Sequence, residues 1–173
     1  MKKRLILLVI VLMMSSIYTI ARDVPLNLQA RLMLKVLSMD RNFSRYGDPI
    51  KIGVSSDEFL NELAACNGAL QVKGKKFVPE KMISLDDIAK YKVIHIGKNW
   101  DHIYTQASMW AAENKCLMFC ESESGVINGG GAISFKVAGG KPKIVVNLKN
   151  SKAQGTEFPE IFLETTVVVG GLK

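Results

Sequence analysis

Hydrophobic positions fall in short blocks along the chain, and their spacing changes from block to block. Between Leu26 and Met39 most residues are Leu, Met, Val or Ala, while Arg31, Lys35 and Ser38 make one polar stripe at helical spacing. That spacing predicts a helix whose apolar face is wider than an ordinary surface stripe. Two accounts fit the excess: the helix is sunk in the core, or it also covers a partner. On the second account Met33, Leu37 and Met39 are the contact residues, towards another protein or a second copy of the chain.

Tyr46-Gly47-Asp48-Pro49 is a turn signal, and Ile50 to Val54 reads as a short buried strand. Asp57 to Ala69 reads as a helix, with Asp57 and Glu58 suited to its positive end. Phe77 to Ile83 reads as a strand that Pro79 confines to a sheet edge. Ser84 caps a short helix. Val93 to Ile96 and Cys116 to Cys120 are further apolar strands, separated by a helix over Trp100 to Asn114. Short apolar strands alternating with helices predict a mostly parallel sheet with helices on both faces, a three-layer α/β sandwich. The style then changes. Ala132 to Val137 and Lys143 to Asn147 flank a Gly139-Gly140 turn, which predicts an antiparallel hairpin. A last helix over Pro159 to Val169 closes the domain, with a strand as the alternative over its β-branched end, Thr165 to Val169.

The first 21 residues stand apart. Lys2, Lys3 and Arg4 precede an unbroken apolar run from Leu5 to Met14, and Thr19-Ile20-Ala21 follows. This is the pattern of a secretory signal peptide cut after Ala21. The run is short of the roughly 20 residues that span a bilayer. The expected organisation is a signal peptide over 1–21 and one α/β domain over 22–173, exported to the periplasm. The net charge of +7 less those three cations leaves +4, which makes no case for nucleic acid.

Candidate chemistry is sparse. The chain has no G-x-S-x-G elbow, H-E-x-x-H, P-loop or G-x-G-x-x-G, so neither a cofactor nor a catalytic set is expected. His95 lies within an apolar strand and reads as a core histidine; His102 follows Asp101 near a helix start. With Cys66 they match no zinc spacing, so no metal is expected. Cys116 and Cys120 on one strand are about 13 Å apart, beyond disulfide reach. A bridge from Cys66 to Cys116 or Cys120 forms if the second helix packs on that strand; otherwise the chain holds three buried thiols. Loops after parallel strands gather at one sheet edge, the usual place for a small ligand. Here they carry Lys98, Asn99, Glu121 and Glu123. The Gly129-Gly130-Gly131 run reads as a turn needing positive φ, or as an anion nest.

The segment Ser124-Gly125-Val126-Ile127-Asn128-Gly129-Gly130-Gly131-Ala132-Ile133-Ser134-Phe135 resembles the signature of the YfiR-like family of exported bacterial proteins, in which a glycine pair leads into Gly-Gly-x-Ile-x-Phe. Gly130, Gly131, Ile133 and Phe135 fit that form. Ile144 to Leu148 resembles the next strand, which ends in Asn, here Asn147. Gln29 to Leu37, Asp40-Arg41-Asn42-Phe43 and Ile50 to Val54 fit in the same order. The resemblance implies a periplasmic α/β domain without catalytic activity, acting on the periplasmic domain of a membrane-bound diguanylate cyclase, and dimeric in one member. The expected function is an exported regulatory binding protein that modulates such a cyclase or a sensor kinase. The alternative is a periplasmic binder of a small ligand.

Overall fold

The computed structural model describes residues 23–66 and 71–171. The expected signal peptide and residues 67–69 of the expected second helix lie outside them. Among the described residues seven strands form one sheet: β1 (Ile50–Val54), β2 (Phe77–Lys81), β3 (Val93–Ile96), β4 (Leu117–Cys120), β5 (Ile133–Ala138), β6 (Lys141–Asn147) and β7 (Val167–Val169). Their order is β2-β1-β3-β4-β5-β6-β7. Every neighbouring pair is parallel except the β5–β6 hairpin. The fold is therefore the three-layer α/β architecture, with β2 and its Pro79 at an edge.

Two apolar layers sandwich the sheet. One face carries α1 (Leu26–Met39), α2 (Asp57–Ala65) and α6 (Glu160–Leu163), packed on Ile50, Ile52, Val93, Phe119 and Phe135. The other carries α3 (Tyr104–Glu113) and α4 (Glu123–Ile127), packed on Ile94, Ile96, Met118 and Val145. A short α5 (Leu148–Ala153) follows β6, capped by the Asn147 side chain, whose Oδ1 accepts from Asn150 N at 3.1 Å.

The breadth of the apolar face of α1 has an internal explanation. The helix lies on the sheet and against α2, so it is covered on two sides. Met33 and Leu37 are fully buried in the core and Met39 is half-buried against it. Met33 and Leu37, expected as partner contacts, therefore face the interior, because the chain itself consumes their apolar area.

The end of α1 is stitched to a distant segment by a buried carboxylate. Asp40 Oδ1 accepts from Asn42 N at 3.0 Å and Glu157 N at 2.9 Å, and Oδ2 accepts from the Tyr46 hydroxyl at 2.6 Å. Arg45 Nε stands 3.7 Å away and supplies the countercharge, while Arg45 Nη1 donates to the Lys115 carbonyl at 2.5 Å. Burial pushes the Tyr46 hydroxyl far above its usual range, so it stays a donor.

Other differences have local causes. The expected Trp100–Asn114 helix opens as a tight turn over Lys98–Ile103, in which Trp100 has non-helical φ −118°, and becomes regular only at Tyr104. The expected last helix stops at Leu163. Thr165 and Thr166 turn their hydroxyls back onto the carbonyls of Phe162 and Leu163 (2.7 and 2.8 Å), and the β-branched run becomes β7 beside β6. Cys66 belongs to the α1–α2 layer and Cys116 and Cys120 to the α3–α4 layer, and all three are free thiols. The sheet stands between them, so of the two readings the structure holds the three buried thiols rather than the bridge.

Replacing Asp40 by Ala strands three donors and a half-buried guanidinium. We expect a loss of about 3–5 kcal/mol, read as a lower urea midpoint at unchanged slope; a loss under about 1 kcal/mol would contradict this account of the stitch.

Candidate functional site

The strand order places the chain's crossover between β1 and β3: β2 lies on one side of β1 and β3 on the other. Loops leaving β1 and β3 therefore diverge and leave a crevice at the carboxyl ends of the strands. A cavity of about 370 Å³ lies there, lined by Leu26, Ser56, Asp57, Glu58, Lys98, Asn99 and Glu121. It brings together three of the four expected pocket residues. The fourth, Glu123, lies elsewhere, on α4, where it pairs with Lys136 of the hairpin at 2.8 Å.

The walls are held by a hydrogen-bonded frame. Gly97 N donates to Ser55 Oγ at 2.8 Å, and Asn99 Nδ2 donates to the Ser55 carbonyl at 3.0 Å. Lys98 N donates to Glu121 Oε2 at 3.0 Å. Lys81 Nζ bridges the Ser55 carbonyl and Asp57 Oδ1, at 3.0 and 2.6 Å. Ser56 caps α2 by accepting from Phe59 N, and its hydroxyl also donates to Glu58 at 2.8 Å. The Glu58 carboxyl is held below its usual range, first by its own backbone N–H and then by Ser56. Hydrogen bonding to Asp23 raises the Lys98 ammonium above its usual value. A Cβ on Gly97 would meet Asn99 Oδ1 at 2.7 Å and Ser56 Cβ at 2.8 Å, so this loop needs a glycine to close. Ser55 and Ser56 lie in the loop that the strand pattern sends to this edge; their framing hydrogen bonds have no signal in sequence spacing.

Both signs of charge line the cavity, together with hydroxyl and amide groups. Such a surface can bind a small polar molecule through ion pairs and hydrogen bonds. Among the described residues, no cluster of three or more His, Cys, Asp or Glu side chains could hold a metal.

His95 lies beneath this edge and has no access to it. It is fully buried, stacked on Phe59 with ring centroids 3.5 Å apart, and neither ring nitrogen has a hydrogen-bond partner. Burial alone pushes its imidazole down to about 3. His102 is exposed beside Asp101, at 3.9 Å, on the rim of a second cavity of about 380 Å³ that Tyr104, Ser124 and Asn128 also line. The two histidines do not meet in one site.

The glycine run is a packing device. Gly130 has φ +81°, and a Cβ there would lie 2.3 Å from Ser108 Oγ; a Cβ on Gly131 would lie 2.2 Å from Cys120 Sγ. The absent side chains let the loop sit directly on α3 and β4. Ile133 and Phe135 then enter the α1–α2 layer, and Asn147 Nδ2 ties β6 to the Val126 carbonyl at 3.3 Å. Burial raises the Cys116 thiol to about 12 and the Cys120 thiol further, so both stay protonated and inert.

These features define a three-layer α/β domain with a cavity of charged and polar groups at the carboxyl edge of the sheet. The chain belongs to the YfiR/HmsC-like family, DUF4154, whose model matches residues 39–164. No curated protein matches it in sequence. Among solved structures it is similar to a conserved domain protein of Vibrio cholerae O1 biovar El Tor (16% identity, TM-score 0.56, covering 83% of this chain and 60% of that one). It is also similar to an ABC domain in complex with L-Trp from Streptococcus pneumoniae (15%, TM-score 0.55, 82% and 60%). A third is CD0873 of Clostridium difficile, a substrate-binding protein with adhesive properties (18%, TM-score 0.52, 81% and 58%). The chain thus spans about 60% of the length of these structures, and the likeness is one of fold.

The His95 environment generates a pH signature. Its imidazole protonates far more readily in the unfolded chain than in the folded one, so its contribution to stability is full above about pH 6.5. Stability then falls by about 1.4 kcal/mol per unit as the pH drops towards about 3. Urea unfolding at steps between pH 7 and 4 should show this loss. His95→Leu, which removes two unpartnered nitrogens, should be no less stable at pH 7 and should have a flatter profile. Parallel profiles for the two proteins would contradict the assignment.

Proposed function

We propose that the protein is an exported, non-catalytic regulator that binds the periplasmic domain of a membrane-bound signalling protein, a diguanylate cyclase or a sensor kinase. The observation that carries this reading is the family match over residues 39–164, which takes in every strand of the sheet except β7. The basic and apolar pattern of residues 1–21 supports export to the periplasm. Among the described residues no helix is long and apolar enough to cross a membrane. Homodimerisation belongs to the same reading. With Met33 and Leu37 taken up by the core, its contacts would come from exposed side chains such as Met109 on α3 and Ile127 on α4.

A second reading is favoured by one observation: a cavity with Lys98, Asn99 and Glu121 sits at the crossover of the sheet. In this reading the protein binds a small polar ligand there, either as its whole function or as the signal that sets its affinity for the membrane partner. Two structures of similar fold are a domain in complex with L-Trp and a substrate-binding protein.

Deleting the gene and measuring cyclic di-GMP, alongside affinity capture of the exported protein from solubilised inner membrane, tests the first reading. The expected result is a several-fold change in cyclic di-GMP and recovery of a membrane protein with an extracytoplasmic domain. An unchanged level together with no captured membrane protein would overturn it.

A further inference from the structure

The two ends of the sheet differ in how their lysines are compensated. At the carboxyl end Lys81 pairs with Asp57 at 2.6 Å, Lys98 with Asp23 at 2.5 Å and Lys136 with Glu123 at 2.8 Å, while Lys141 and Lys143, farther out at the hairpin tip, are exposed with no carboxylate within 4.0 Å among the described residues. The amino end is different. Lys76 immediately precedes β2, Lys92 precedes β3, and Lys115 stands two residues before β4. Lys73 lies in the turn before β2, and Lys149 and Lys152 lie on α5. All six are exposed, and among the described residues none has a carboxylate within 4.0 Å.

Topology makes these residues one surface. Lys92 Nζ donates to the Asn114 carbonyl at 3.1 Å, and Lys115 Nζ donates to the Ala153 carbonyl at 3.0 Å, which links the start of β3 to the start of β4 and on to α5. The strands β2, β1, β3 and β4 are adjacent in that order, so the row from Lys76 to Lys115 spans three strand spacings, about 14 Å. Asp48, Glu113 and Glu157 are exposed carboxylates near this edge, with Asp86 beside Lys90 just before β3, and Glu157 is engaged by Arg41 at 3.1 Å. Asp40 is buried and already holds Arg45 and Tyr46.

We propose that this amino-end face of the sheet is a docking surface for an anionic phospholipid bilayer. The face offers a row of ammonium groups, of which Lys73 lies over the Phe43 ring at 4.9 Å, and among the described residues no large exposed apolar side chain: Ile83, Met109, Ile127, Ile161 and Val168 all lie outside the row. A specific protein interface takes most of its energy from buried aromatic and aliphatic anchors. Adhesion to acidic headgroups needs only closely placed cations, each worth about 1 kcal/mol near the surface and screened by salt. The headgroups are mobile and repeat laterally, so they can meet a row of unpaired lysines without shape complementarity. Docked on this face, the protein would hold the carboxyl-edge cavity away from the bilayer. This adhesion does not depend on the regulatory reading and is measurable without any protein partner.

Vesicle co-sedimentation of the chain beginning at Arg22, which contains every described element, tests the proposal. The probes are vesicles with about 30 mol% phosphatidylglycerol in phosphatidylcholine and vesicles of phosphatidylcholine alone, at about 0.1 M and about 0.5 M salt. Binding is expected only to the anionic vesicles at low salt. Lys76→Glu, Lys92→Glu and Lys152→Glu together should weaken it at least about tenfold. The charge-matched set Lys35→Glu, Lys141→Glu and Lys143→Glu, on α1 and the hairpin tip, should weaken it less than about twofold by the same reckoning. Thermal unfolding of each variant reports whether it folds, and the lipid and salt dependence of the parent stands by itself. Equal binding to both vesicle types, equal loss in the two variant sets, or no vesicle binding would overturn the proposal; the last is the outcome expected if an acidic protein covers this face instead.

Discussion

The fold depends on a sheet whose central strands have no wet face. Every residue of β3 and of β4 is buried, and β1 exposes only Lys51. Strands of this kind are stable only while helices cover both sides of the sheet. On one side that role falls to α1 and α2, and on the other to α3 and α4 with the glycine-rich loop. The apolar surface that α1 displays in the sequence is the cover this sheet requires, and the Asp40 network fixes its end.

This constraint decides where function can reside. Side chains that close the two layers are unavailable to partners, which removes Met33 and Leu37 from consideration and keeps His95, Cys116 and Cys120 chemically silent. Recognition is left to the two ends of the sheet and to exposed helix surfaces. The carboxyl end gathers hydrogen-bonding groups of both charges around a cavity, as the diverging loops at a crossover allow. The amino end gathers lysines without carboxylate partners. The polarity follows from topology: parallel strands put all their entry residues, among them Lys76, Lys92 and Lys115, at one end and all their exit residues at the other.

Much of this was legible in the sequence. The alternation of short apolar runs with helical spacing led directly to the parallel sheet, Gly139-Gly140 to the hairpin, and Pro79 to the edge position of β2. The span of α1 was also correct, because a helix with a continuous polar stripe has only one periodic reading. What periodicity could not show was what covered its broad face: burial by α2 and burial by a partner leave the same pattern. The fate of the thiols was equally hidden, since the face on which Cys66 lands depends on the packing of α2. For the pocket, Lys98, Asn99 and Glu121 converge because they follow β3 and β4 next to the crossover. Glu123 was misplaced because α4, a five-residue helix without periodic signal, carries it away from the cavity.

Hydrogen exchange on the free protein tests the central claim, that α1 is an internal layer of the domain. The account predicts that amides over Met33 to Leu37 exchange in the slowest class, together with those of β3 and β4, through global unfolding. Exchange of α1 well ahead of β3, with the strands still protected, would contradict it and return this helix to the role of a detachable docking element.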